Sequence, residues 1–154
     1  MTALPNIEQE IRIKAARQRV WQVLTGEGLV EQWLGCLGYR AEIGTLFYMQ
    51  PDPAKRSAGN VEGATHCELL ALEPPERMRF SWFMPGMPKT EVEIVLTGDD
   101  DGSTIARLVH GGWDRFEPDQ VRAIRDMLEG GWKSFVLPGL KRVAEEAGRG
   151  GESG

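Results

Sequence analysis

The stretch ELLALEPPERMRFSW, from Glu68 to Trp82, places two strand signals on either side of a proline pair. The prolines cannot donate to a backbone ladder, so the strand must end there and the chain must turn. After the turn, apolar and polar residues alternate, and three large apolar side chains share one face: Met78, Phe80 and Trp82. The pattern predicts two sequential strands, over 61–72 and 77–83.

Further strand signals flank this pair. IEQEIRI, residues 7–13, alternates isoleucine with charged or amide residues, which is typical of a half-buried strand. Residues 40–50 form another candidate, kinked near Gly44. A hairpin is predicted where 90–97 and 104–110 alternate around the turn GDDDG.

Helical patterns occupy the two ends of the chain. Apolar residues at helical spacing predict two short helices, over 17–25 and 29–34. Glu117-Pro118 resembles a helix start, and the apolar stripe that follows continues to about residue 146. Gly130-Gly131 is expected to interrupt or kink this helix, and Pro138, which lacks an N–H, is expected to bend it.

The order of elements predicts an α+β fold: a strand, two small helices, a run of antiparallel strands and one long helix. The economical packing is a helix grip, in which a curved antiparallel sheet of six to seven strands wraps around the C-terminal helix. A cavity between sheet and helix follows from that arrangement.

Composition sets broad limits on function. The chain has 154 residues and a net charge of −5, so we expect one domain, over 5–147, and no nucleic-acid partner. The glycine-rich tail, 148–154, is predicted to be disordered. No signal peptide or membrane span is predicted, and Cys36 and Cys67 are interpreted as free thiols of a cytoplasmic protein.

Few residues suggest chemistry. His66 shares a strand face with Glu68, but this pair falls far short of a zinc ligand set, so neither a metal nor a cofactor is predicted. His110 ends a strand, where it could act as a general acid or base or could be a hydrogen-bonded structural histidine. No nucleophile elbow and no phosphate-binding loop are present.

Arg107 interrupts an otherwise apolar strand. If it faces the cavity, it could pair with an acidic ligand or a buried glutamate. If it lies on the solvent face, Glu91 and Glu93 of the neighbouring hairpin strand are its expected partners. Both interpretations of Arg107 remain open from the sequence.

Several motifs together resemble the START-like superfamily, also called the helix-grip or Bet v 1-like superfamily. Within it, the chain is most similar to the group named after the activator of heat-shock protein 90 ATPase. The similarity covers about residues 5–146. It is carried by IEQEI (7–11), VWQVL (20–24), EQW (31–33), the opening stretch 68–82, VHGGW (109–113) and GWKSF (131–135).

The resemblance implies a deep apolar pocket closed by the C-terminal helix. Candidate lining residues are the aromatic and apolar side chains that fall near it: Trp33, Phe47, Tyr48, Phe80, Trp82, His110, Trp113, Met127, Trp132 and Phe135. The loop from Met84 to Met87 could serve as a lid over this pocket or as a dimer contact, so the protein is expected to be a monomer or a homodimer.

Three functions are compatible with such a fold. The first is a domain that binds a small hydrophobic molecule, which the lack of a catalytic constellation favours. The second is a co-chaperone-like regulator of a heat-shock protein 90 ATPase. The third is an enzyme of the cyclase, dehydratase or hydrolase kind, in which His110 and Arg107 would act in the pocket.

Overall fold

A computed structural model describes residues 4–50, 52–99 and 101–153, without the side chains of residues 118, 120 and 147–153. One antiparallel sheet of seven strands, ordered β1-β7-β6-β5-β4-β3-β2, packs against a long C-terminal helix. This is the predicted α+β helix grip. The strands are β1 (Ile7–Ile13), β2 (Cys36–Leu37), β3 (Leu46–Met49), β4 (Thr65–Glu73), β5 (Arg77–Phe83), β6 (Thr90–Gly98) and β7 (Thr104–Gly111).

Alternation along the strands places the large apolar side chains on one face of the sheet. Phe80 on β5, Ile94 on β6 and Leu108 on β7 are completely buried. Most residues between such positions are half-buried or exposed, although Ser81 on β5 is buried as well. Each pair of neighbouring strands therefore contributes cross-strand apolar contacts on a single face. This buried face receives the C-terminal helix and the two short helices α1 (Arg17–Thr25) and α2 (Val30–Leu34).

The C-terminal helix continues through the glycine pair that was expected to interrupt it. Helix α4 (Pro118–Gly131) passes into a π-helical turn (Trp132–Val136) and then into α5 (Leu137–Ser153). The Leu137 N–H bonds to the Trp132 carbonyl five residues back, so the backbone absorbs one extra residue there instead of breaking. The α5 backbone is helical through Ser153, where composition predicts a disordered tail.

The predicted strand at 40–50 is shorter than expected. Only β3 is extended, because Gly38 and Gly44 adopt positive φ angles of 78° and 90° and bend the chain before it. The predicted loop after it contains a one-turn helix, α3 (Pro53–Ser57), whose first N–H groups are capped by the Asp52 side chain. Among the described residues, no helix is both long and apolar enough to cross a bilayer.

Candidate functional site

His110 lies at the centre of an aromatic cluster. It sits on β7 opposite Val92 of β6, faces the core and is completely buried. Three indole rings surround its imidazole, with ring centroids 4.7 Å (Trp113), 5.4 Å (Trp82) and 5.9 Å (Trp132) away. These four rings join β5, β7, the turn after β7 and the C-terminal helix.

Hydrogen bonds hold His110 in one tautomer. The Trp132 indole can only donate, so its Nε1–H, 3.1 Å away, requires a lone pair on His110 Nδ1. The Thr90 hydroxyl donates to the Trp82 carbonyl at 2.7 Å. It therefore accepts from His110 Nε2–H, also at 2.7 Å. Both ring nitrogens are thus satisfied in the neutral, Nε2-protonated form.

Burial disfavours the charged form of this histidine. Loss of solvation, with a smaller contribution from the positive charge of Arg125, lowers the pKa of His110 to about 3. A second proton on Nδ1 would also displace the Trp132 N–H. In this arrangement neither ring nitrogen of His110 is free, whereas a general base needs a free lone pair and access to substrate.

An apolar pocket lies beside this cluster, where the loop after β5 meets α4. Its walls are nine residues: Trp82, Phe83, Met84, Met87, Pro88, Trp113, Phe116, Val121 and Ile124. The free volume inside the pocket is only about 20 Å³, which is room for about one water molecule. The pocket is therefore small in this structure, and the loop between β5 and β6 supplies Met84, Met87 and Pro88 of its wall.

Trp82 carries an unpaired donor in the wall of this pocket. Its side chain is buried, and its Nε1–H has no hydrogen-bond partner among the described side chains and backbone. Other buried indoles are satisfied: Trp33 donates to the Val23 carbonyl and Trp113 donates to the His110 carbonyl, both at 2.9 Å. Buried polar groups without partners are rare, and each one calls for an explanation.

The structure brings Trp82 and Trp113 of the predicted lining residues together in this pocket. Trp132 and His110 belong to the adjacent aromatic cluster and are not part of the pocket wall. Core positions elsewhere are taken by three others: Trp33, Phe47 and Phe80.

The remaining predicted lining residues point away from the core. Tyr48 lies half-buried on the outer side of the sheet with its ring edge against His66. Met127 and Phe135 are 68% and 76% exposed on the helix. Phe135 borders a shallow surface depression with Pro138 and neighbouring residues, separate from the apolar pocket.

Arg107 lies on the solvent face of the sheet, 54% exposed, and pairs with Glu8 of β1. The prediction that a solvent-facing Arg107 pairs with Glu91 or Glu93 is therefore wrong, because the β6–β7 register places Arg107 opposite Val95. Glu91 instead pairs with Arg79 at 2.5 Å, and Glu93 faces Arg77 at 3.4 Å.

Metal-binding clusters are not found in the described part of the chain: no three histidine, cysteine or acidic side chains converge there. Cys36 and Cys67 are both free and buried. Burial raises the pKa of the Cys36 thiol to about 12 and that of Cys67 well above its ordinary value. Neither thiol is arranged as a nucleophile, which requires a stabilised thiolate.

Sequence reasoning missed part of the pocket wall and the hydroxyl that fixes His110. Val121 and Ile124 belong to the apolar stripe of the predicted helix, but periodicity alone does not tell a pocket wall from core. Thr90 carries no distinguishing signal, because its partners Trp82 and His110 become neighbours only through the strand register.

Several solved structures share the fold of this chain. Protein MLL2253 from Mesorhizobium loti is 25% identical with a TM-score of 0.68, covering 92% of this chain and 95% of its own. Protein BH1534 from Bacillus halodurans is 26% identical with a TM-score of 0.70, covering 94% and 100%. PFC0360w, an HSP90 activator from Plasmodium falciparum, is 11% identical with a TM-score of 0.66, covering 90% and 94%, and shows the fold alone.

No curated protein matches the chain. A family model does, over residues 14–145, which is most of the sequence and includes every strand from β2 to β7, the aromatic cluster and the pocket. The chain therefore belongs to the family described as activator of Hsp90 ATPase homolog 1-like proteins.

Proposed function

We propose that this domain binds a small hydrophobic molecule in the apolar pocket beside the His110 cluster. The observation that carries the proposal is the wall itself: nine apolar or aromatic residues converge on one concavity at the end of the sheet. Concave, predominantly apolar sites with a few fixed polar groups are the usual form of small-molecule pockets.

Opening of the loop between β5 and β6 is part of the proposal, because the closed pocket admits no more than about one water. Few contacts retain this loop. Met84 Sδ accepts a weak bond from Thr65 at 3.6 Å, and Arg115 donates to the Lys89 carbonyl at 2.6 Å. Met87, at the loop tip, is partly exposed. Segments with so few buried contacts open at low free-energy cost.

An enzymatic role for the same pocket has less support. It would use His110 and Arg107, but His110 is fully hydrogen-bonded in its neutral form and Arg107 is paired with Glu8 on the opposite face of the sheet. The two side chains cannot act on one bound molecule from those positions.

Titration with a neutral apolar fluorophore, N-phenyl-1-naphthylamine, tests the proposal. We expect saturable binding to the wild-type protein. Ile124→Trp, which enlarges a side chain of the pocket wall, should weaken that binding about tenfold or more, while Ala123→Trp on the exposed side of the same helix should change it less than about twofold. Non-saturable binding, or equal effects of the two variants, would overturn the proposal.

Regulation of a chaperone ATPase is a second candidate, favoured by family membership. Its test is direct: addition of excess protein should change the ATP turnover of a heat-shock protein 90. Unchanged turnover would remove this candidate and leave the ligand-binding proposal as it stands.

A further inference from the structure

We infer that the ligand is a neutral molecule with an apolar body and a hydrogen-bond acceptor, such as a ketone or ester carbonyl, that pairs with the Trp82 Nε1–H. This inference rests on the proposed ligand pocket and specifies the chemistry of its occupant. The unpaired indole donor is the observation from which it starts.

Trp82 is 7% exposed and its ring forms part of the pocket wall, so its N–H cannot be satisfied by bulk water in the closed state. A buried donor without an acceptor is destabilising, so a bound molecule that supplies an acceptor would be favoured at this position. The other pocket indole, Trp113, has its N–H occupied by the His110 carbonyl and has no donor to offer.

The position of Trp82 is fixed before any ligand arrives. Its carbonyl accepts the Thr90 hydroxyl at 2.7 Å, and that hydroxyl is held in turn by His110. The imidazole and the Trp82 indole pack in an edge-to-face arrangement, with 5.4 Å between ring centroids. A donor held in one orientation loses little freedom when it pairs, which favours selective recognition.

The surrounding chemistry favours a neutral acceptor over an anion or a water molecule. None of the nine pocket-lining residues is charged, and an ion buried there without a partner would pay a large desolvation cost. A buried water typically makes about three hydrogen bonds, whereas the side chains of this wall offer one strong donor. A single donor satisfies the carbonyl group of a ligand, and the apolar remainder of that ligand can contact the apolar wall.

Three probes of similar shape separate these possibilities: acetophenone, ethylbenzene and benzoate. Affinities are measured by titration while the ¹⁵N-labelled indole N–H resonances are followed. We expect acetophenone to bind about 3- to 10-fold more tightly than ethylbenzene, the gain of one neutral hydrogen bond. Benzoate should bind more weakly than acetophenone. The Trp82 indole signal should shift with acetophenone and much less with ethylbenzene.

Matched variants identify the donor. Trp82→Phe removes the N–H and should abolish the preference for acetophenone, whereas Trp113→Phe should lower both affinities and keep their ratio. Equal wild-type affinities with an unmoved Trp82 signal would overturn the inference while leaving the pocket intact. Binding of none of the probes would instead overturn the proposed function. The wild-type spectra decide the question even if a variant fails to fold.

Discussion

A single imidazole joins the sheet to the C-terminal helix. His110 receives the Trp132 N–H from the helix and donates to Thr90 on the neighbouring strand. Each contact fixes one ring nitrogen, so the tautomer, the ring orientation and the position of the helix depend on one another. A polar residue in an apolar core is tolerated when every partner is present, and such networks specify a unique packing.

We predict that His110 stays neutral across the physiological range. Its ring nitrogen and carbon shifts, followed by NMR from pH 8 to 4, should remain those of the Nε2–H tautomer, because burial lowers its pKa to about 3. A midpoint near the ordinary value of about 6.5 would contradict the buried geometry.

The same histidine should make the folded state sensitive to acid. Below about pH 6.5 the unfolded chain binds a proton at this position, and the folded chain does so only near pH 3. Stability should therefore fall as pH decreases through this window, by up to about 1.4 kcal/mol per pH unit from this group. His110→Gln should be less stable than the wild type at pH 7. Its free energy of unfolding, measured with urea at each pH, should fall less steeply as the pH decreases. An unchanged slope would show that other groups control acid sensitivity.

Thr90→Val tests the hydroxyl that joins Trp82 to His110. The substitution keeps the shape of the side chain but leaves a buried carbonyl and a buried imidazole N–H unpaired, so we expect a loss of about 1–3 kcal/mol in the free energy of unfolding. Thr97→Val, on the exposed end of the same strand, is the control and should change it by less than about 0.5 kcal/mol. Equal effects of both variants would mean that the hydroxyl bridge is not stabilising.

At the scale of elements, the strands and their faces were the predictable part of the fold. The alternation in β5 and the proline pair before it set both the turn and the buried face, because these signals lie within a few residues of one another. The extra residue in the C-terminal helix was not predictable. The π-helical turn begins at Trp132, whose indole contacts His110 across 22 positions of sequence, and local patterns do not reveal such a contact.

The candidate site was predictable only in part, for the same reason. The resemblance to the helix-grip superfamily pointed to Trp82 and Trp113, which line the pocket. Exposure of Met127 depends on the angular position of the helix against the sheet, and helical periodicity does not specify that angle. The unpaired state of the Trp82 N–H is a property of the assembled environment.

Two glycine substitutions, one inside the C-terminal helix and one at the end of α1, should have opposite effects. At Gly130 an added methyl group meets no atom within 4 Å, so Gly130→Ala should stabilise the helix by about 0.5–1 kcal/mol. At Gly26 the methyl carbon would lie 2.4 Å from the Gln22 carbonyl oxygen, so Gly26→Ala should destabilise the protein. Thermal unfolding measures both, and the same sign for the two variants would contradict the backbone geometry.

At the scale of the whole molecule, the outer face of the sheet carries ion pairs while the inner face carries the core. Arg107–Glu8, Arg79–Glu91 and Arg77–Glu93 each link neighbouring strands across the exposed surface. Exposed pairs of this kind contribute about 0–1 kcal/mol each. Cohesion between sheet and helices therefore comes from the apolar inner face and from the His110 cluster.

The two buried thiols should report opening of the whole fold. Cys36 and Cys67 have raised pKa values and lie in the core, so Ellman's reagent at pH 8 should react with them only as the protein unfolds. The reaction rate should rise with urea in parallel with equilibrium unfolding, and denatured protein should react at once with both thiols. Reaction of the native protein at the rate of a free thiol would show that the core opens locally.

The π-helical turn changes how the residues before it and after it are aligned around the axis of the C-terminal helix. Before the turn, Val121 and Ile124 face the pocket; after it, Leu140 and Ala144 face the core. One residue more or less in an α-helix rotates everything beyond it by about 100°. A regular α-helix over the same residues could therefore align only one half with its proper neighbours, whereas deletion of Ser134 would remove the extra residue and should let a regular α-helix keep both halves in place. The single extra residue thus lets one continuous helix turn Val121 and Ile124 towards the pocket and Leu140 and Ala144 towards the core.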